Sequence, residues 1–196
     1  SLLAAGLGLA FIGLHRGYRR FLLLLALAAL AIFVLPQTQG VVERLLEAFT
    51  GSDLATQMRI GEYGDAFELI QRYPIAGVGF TGTPSIDLYT DVASMYLIMA
   101  NQIGLVGVGL FALTMGGVLV YGRRMWPAAS EITGQRALHL GAHAALLAAL
   151  VSATADHYFF RTDFHASNTL FWLVVTAALV SSRLASEKRA LAPPAG

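Results

Sequence analysis

The chain contains no cysteine. Disulfides, thiolate metal centres and cysteine nucleophiles are therefore excluded. Charge is scarce as well: Asp, Glu, Lys and Arg supply 13% of the 196 residues, about half of the ~25% usual in soluble domains. Proline stands only at positions 36, 74, 84, 127, 193 and 194, so long stretches run without a helix breaker. A net charge of +1 is too small to attract a nucleic acid. What fills the chain instead is apolar: 56% hydrophobic residues and a mean hydropathy of +0.63. That composition is the signature of a membrane protein. The apolar run begins at Ser1 with no basic segment before it. A signal peptide is a poor reading of such a start, and the C-terminal part of a longer polytopic chain is the better one.

Read in order, the sequence predicts an all-α, polytopic membrane protein of about five spans with a helical outer-face loop. Residues 1–14 and 21–35 are the first two spans, separated by the basic loop 15–20, and Pro36 closes the second. Residues 36–92 form the long polar section. Within it, 41–49 carries Val41, Val42, Leu45, Leu46 and Phe49 on one face and suits a helix lying along the interface. A second helix is expected over 54–73, capped by Ser52 or Asp53 and stopped before Pro74. The remaining spans are 93–121, 137–155 and 166–182, all within the section 93–182. They are joined by a polar loop that begins at Gly122 and by a short loop over 156–165. Residues 183–196 form a basic tail.

Alternation of the spans sorts the loops onto two sides. One side collects Arg16, Arg19, Arg20, Arg123, Arg124, Arg136, Arg183, Lys188 and Arg189, against Glu131 and Glu187. The other holds Arg44, Arg59, Arg72 and Arg161 among ten acidic residues. The positive-inside rule makes the first side cytoplasmic. The long loop and the 156–165 loop then share the outer face, where two segments distant in sequence are able to form one site. No internal repeat is visible, which argues against a transporter built from inverted repeats.

Several residues carry possible chemistry. On the 54–73 helix, Arg59 is followed by Glu62 and Tyr63 on neighbouring turns. An arginine at a membrane surface suits a diphosphate, to which its planar fork binds in bidentate fashion. The competing reading is a surface Arg59–Glu62 pair. Gly77, Gly79 and Gly82 spell G-x-G-x-x-G, but a helix and Pro74 precede them and Pro84 follows. A dinucleotide loop requires a strand before and a helix after. A Pro/Gly turn that folds back toward the membrane fits the context better. His139 and His143 have a metal-compatible i,i+4 spacing, yet lack the glutamate of H-E-x-x-H and fall toward the inner side. Ser94 with His157 and Asp156 would make a hydrolase triad, but no G-x-S-x-G elbow surrounds the serine.

The order R-x-x-x-aromatic (Arg59 to Tyr63), P-x-x-G-x-G (Pro74 to Gly79), then S-M-Y-L opening a span that carries G-x-x-G (Gly104 to Gly107), resembles the bacterial O-antigen ligase and polysaccharide polymerase family. That family's motif is a His, then Asn, Ser or Gln, then nine residues, then G-x-x-G. Here Ala93 takes the place of the histidine, while Ser94 and both glycines fit. The later D-H-Y-F-F at 156–160 and Phe171-Trp172 also resemble a branch of these proteins, and the likeness covers roughly residues 50–182.

The resemblance implies a glycosyltransferase in the bacterial inner membrane. It would move a glycan from a polyprenyl-diphosphate carrier to a lipid or sugar acceptor on the periplasmic face, without a metal or other cofactor. Arg59 and Arg161 would hold the diphosphate, with Glu62, Tyr63, Ser94 and Tyr96 lining the substrate site. In place of the missing histidine, Asp91, Asp156 or His157 would be the base that deprotonates the acceptor. Each has a plainer alternative. Asp91 suits a water boundary before the third span, His157 and Tyr158 suit an interfacial belt, and Arg161 suits pairing with Asp163 or reaching for head groups. A membrane transporter or a non-catalytic scaffold in polysaccharide export is the rival class.

Overall fold

The computed structural model describes residues 2–13, 20, 23, 24, 26, 27, 54–80, 92–131, 134–160 and 164–191. Among these residues the fold is entirely helical. We number the helices α1 (Leu2–Gly13), α2 (Leu54–Arg72), α3 (Met95–Ser130), α4 (Gln135–Ser152) and α5 (His165–Leu191). The interfacial helix expected over 41–49 lies outside the described residues, as does most of the second span. Leu23, Leu24, Ala26 and Leu27 of that span are helical and exposed.

Helices α3, α4 and α5 pack on one another, α1 packs on α4, and α2 packs on the start of α3. Chain direction alternates along α3, α4 and α5, because each short connection returns the chain to the end it left. Their shared core is Met115 and Val118 of α3, Leu146 of α4, and Phe171, Val175 and Ala178 of α5. Phe111 and Phe159 stack against Phe171, with ring centroids 6.1 and 5.5 Å away. Gly8 allows α1 to lie close on α4, since a Cβ there would meet Ala148 at 3.1 Å.

Helices α3 and α5 are long and apolar enough to cross a membrane. Of the most apolar 18-residue stretch of α3, only 17% is buried. Leu105, Val106, Leu110 and Leu113 on α3, and Leu170, Trp172 and Leu173 on α5, face outward with at least half of each side chain exposed. A surface of that apolar extent is costly in water and favourable in lipid.

Several expected boundaries move. The loop predicted to begin at Gly122 is helical instead, and α3 continues through Arg123, Arg124 and Met125 to Ser130 with Pro127 inside. Arginine and methionine are good helix formers, so leaving an apolar layer does not end a helix. Pro127 carries no N–H, so the helical bond from position 127 to the Arg123 carbonyl is lost, and the helix ends within one turn of it. For the same reason α5 runs through the basic stretch to Leu191 rather than stopping at 182. Helix α2 ends at Arg72, one residue short of the expected bound and before Pro74.

Candidate functional site

The site region is built around a break in α3. At Gly104 the backbone takes φ 69° and ψ −179°, a conformation essentially restricted to glycine, so α3 is two helical pieces joined there. A break leaves backbone groups without helical partners, and these must be satisfied wherever water is excluded. The turn after α2 does so. The carbonyls of Asn101 and Gln102 accept the N–H groups of Val78 at 2.7 Å and Gly79 at 2.9 Å. The N–H of Leu105 donates to the Pro74 carbonyl at 2.8 Å. Contact is backbone to backbone: a Cβ on Gly77 would collide with the Asn101 carbonyl, and one on Gly104 with that of Ile75. The P-x-x-G-x-G turn and the G-x-x-G motif, 25 or more residues apart, are thus the two halves of one joint.

A second junction lies at the start of α3. Ser94 is its N-terminal flanking residue, extended at φ −155° and buried, with no side-chain capping bond. The N–H of the next residue, Met95, is shared by the carbonyls of Ala153 and Asp156, each at 2.9 Å. The 156–160 loop is therefore tied to the residue beside Ser94. Beneath it, Ala66 and Tyr63 of α2, Val92, Ile98 and Phe160 form one apolar cluster, and Phe80 lies 6.3 Å from Phe160. The long section and the short loop, distant in sequence, meet at one end of the bundle.

The predicted residues fall into four groups. Ser94, Asp156, His157 and Tyr63 belong to this meeting point. Oδ1 of Asp156 accepts the backbone N–H of His157 at 2.9 Å. The His157 ring packs beside Tyr158 and Phe164, with centroids 5.2 and 5.9 Å away. Arg59 and Glu62 stand one turn along α2 from this cluster, Arg59 exposed and Glu62 half-buried. No Arg59–Glu62 ion pair forms among the described residues. A pair that does form on this helix is Glu68 with Arg72, exposed and of little energetic consequence. Tyr96 faces elsewhere: its hydroxyl donates to the Leu150 carbonyl at 2.7 Å and its ring meets Phe111, so it ties α3 to α4. Asp91 and Arg161 lie outside the described residues.

One polar residue of the region has no counterpart in the sequence reading. Asn101 is 1% exposed, and neither atom of its side-chain amide has a hydrogen-bond partner. Leaving such a group unsatisfied costs about 1–3 kcal/mol, so a native fold rarely retains one without a use. An asparagine inside an otherwise apolar run, three residues before Gly104, was the available signal.

His139 makes contacts that join helices, whereas Nε2 of His143 is buried without a hydrogen-bond partner among the described residues. Nε2–H of His139 donates to the Gly122 carbonyl at 3.0 Å, and Nδ1 faces the Ser181 hydroxyl at 3.1 Å. His139 thereby joins α3, α4 and α5. Nδ1–H of His143 donates to the His139 carbonyl at 2.8 Å. Comparison with protein-family models, with curated proteins and with solved structures gave no match in any of the three.

Proposed function

We propose that the chain is a glycosyltransferase of the O-antigen ligase and polymerase type. In this reading it has about five spans: α1, 21–35, α3, α4 and α5. It sits in a bacterial inner membrane with the loop end of the bundle periplasmic. The observation that carries the reading is the convergence of α2, the Ser94 end of α3 and the 156–160 loop at one end of the bundle. The chemistry requires that convergence: cations for a leaving diphosphate and a base for an acceptor hydroxyl must face one reacting carbon.

The step is a direct displacement. The acceptor oxygen forms a bond to the sugar C1 while the bond from C1 to the carrier diphosphate breaks. The acceptor proton passes to Asp91, Asp156 or His157. Arg59 and Arg161 take up the charge on the departing polyprenyl diphosphate. The test is an assay of the full-length protein with a labelled polyprenyl-diphosphate glycan and a lipid or sugar acceptor. Formation of a glycosylated acceptor supports the reading, and intact carrier after prolonged incubation sinks it.

A transporter of the same lipid-linked substrate is the second reading. The helix break at Gly104 beside the unsatisfied Asn101 favours it, since interrupted helices with buried polar groups recur in transport paths. Proteoliposomes separate the two: a transporter moves the labelled carrier glycan across the bilayer unchanged, whereas a transferase alters it. A scaffold does neither.

A further inference from the structure

A cavity of about 420 Å³ opens between α1, α3 and α4 at the opposite end from the loops. That volume lies within the range of roughly 300–1,000 Å³ usual for ligand pockets. Its wall is largely apolar, formed by Phe11, Leu119, Leu140 and Leu147, with Gly122, His139 and His143 also lining it. Its rim is different: Arg123 and Trp126 stand there, on the turns by which α3 runs past its apolar stretch. Arg136, on the first turn of α4, lies 5.9 Å from the Trp126 ring and brings a second guanidinium to that rim. Arg124 follows Arg123 on the same turn and is exposed. The acidic residues described near this end are Glu131, after α3, and Glu187, which is held by Arg183 at 3.0 Å.

A largely apolar slot with an arginine and an indole at its mouth matches an amphiphile with an anionic head. Indole rings favour the level of lipid head groups, where one edge is wet and the other apolar. Guanidinium forks bind phosphate oxygens in bidentate fashion. We infer that this cavity holds one acyl chain of an anionic phospholipid, with its phosphate on Arg123 and Arg136 beside Trp126. The inference rests on the membrane placement of the bundle and not on glycosyl transfer, so it survives failure of the transferase assay.

The test is native mass spectrometry of the delipidated full-length protein, titrated in parallel with phosphatidylglycerol, phosphatidylcholine and inorganic phosphate. Phosphatidylglycerol is expected to be retained several-fold more strongly than phosphatidylcholine. Each arginine near the head group contributes about fivefold, so Arg123→Ala should reduce the preference by about that factor and Arg123→Glu should abolish it. Arg123 is exposed, and neither change disturbs the packed core. Leu147→Trp fills the slot and should lower retention of both lipids while the arginines stay in place. Equal retention of the two lipids overturns the inference. So does a preference that withstands both Arg123→Glu and Leu147→Trp. Displacement of phosphatidylglycerol by inorganic phosphate at equal concentration would show a bare anion site and overturn the acyl-chain assignment.

Discussion

At the scale of single residues, the proposed chemistry divides between side chains that are free to act and side chains already engaged. Arg59 is exposed and without an ion-pair partner among the described residues, so its charge is open to a ligand. Arg59→Ala is expected to lower glycan transfer by on the order of 10²-fold, the loss typical when one group stabilising a developing negative charge is removed. Unchanged transfer in a correctly inserted variant would end its assignment. The base is tested by Asp91→Asn and His157→Ala, at least one of which should lower transfer by roughly 10²–10⁴-fold. Activity surviving both changes would place the proton acceptor elsewhere. Tyr96 shows how tertiary contact changes a residue's meaning. From sequence it sits in the S-M-Y-L motif and reads as a substrate contact; in the fold its hydroxyl is used by the Leu150 carbonyl. Tyr96→Phe should destabilise the protein by about 1 kcal/mol, the worth of one such bond, as measured by thermal unfolding in detergent.

At the scale of elements, the glycines of the two motifs are legible as motifs but not as partners. Periodicity and Pro74 give the extent of α2 almost to the residue, because helix formation and termination are local. The break in α3 is different. Nothing local requires a helix to open at Gly104; the Pro74–Gly79 turn docking on it supplies the replacement hydrogen bonds. Gly104→Ala places a Cβ in a glycine-only conformation and against the Ile75 carbonyl. It should cost at least about 1–3 kcal/mol from backbone strain alone. Gly77→Ala should behave alike, whereas Gly116→Ala, a helical site with open space around it, should be neutral or mildly stabilising. Equal unfolding temperatures for the Gly104 and Gly116 variants would argue against the joint. The same locality explains the overextended loop predicted at Gly122, since charge and an interfacial tryptophan mark a boundary of polarity and not of helix.

At the scale of the whole molecule, the bundle has two chemically unlike ends. Arg123, Arg124 and Arg136 gather at one, while α2, the 74–80 turn and the 156–160 loop gather at the other. With the basic end cytoplasmic, a Tyr158→Cys variant should react with a membrane-impermeant maleimide in intact cells. An Arg124→Cys variant should react only after permeabilisation. The 196 residues contain no cysteine of their own to add background to either reading. The opposite pattern would invert the proposed topology and with it the proposed periplasmic site. By itself, the sequence determined what depends on composition and local order: an apolar chain, helical in its described residues, the course of α2 and the motif glycines. Only the tertiary structure decided which of these meet. The Pro74–Gly79 turn closes on Gly104, the Asp156 loop ties to the residue after Ser94, Asn101 is buried without a partner, and an apolar slot forms under Arg123. Each depends on contacts between segments remote in sequence, and such contacts are set by how whole helices bury their faces against one another rather than by the identity of neighbouring residues.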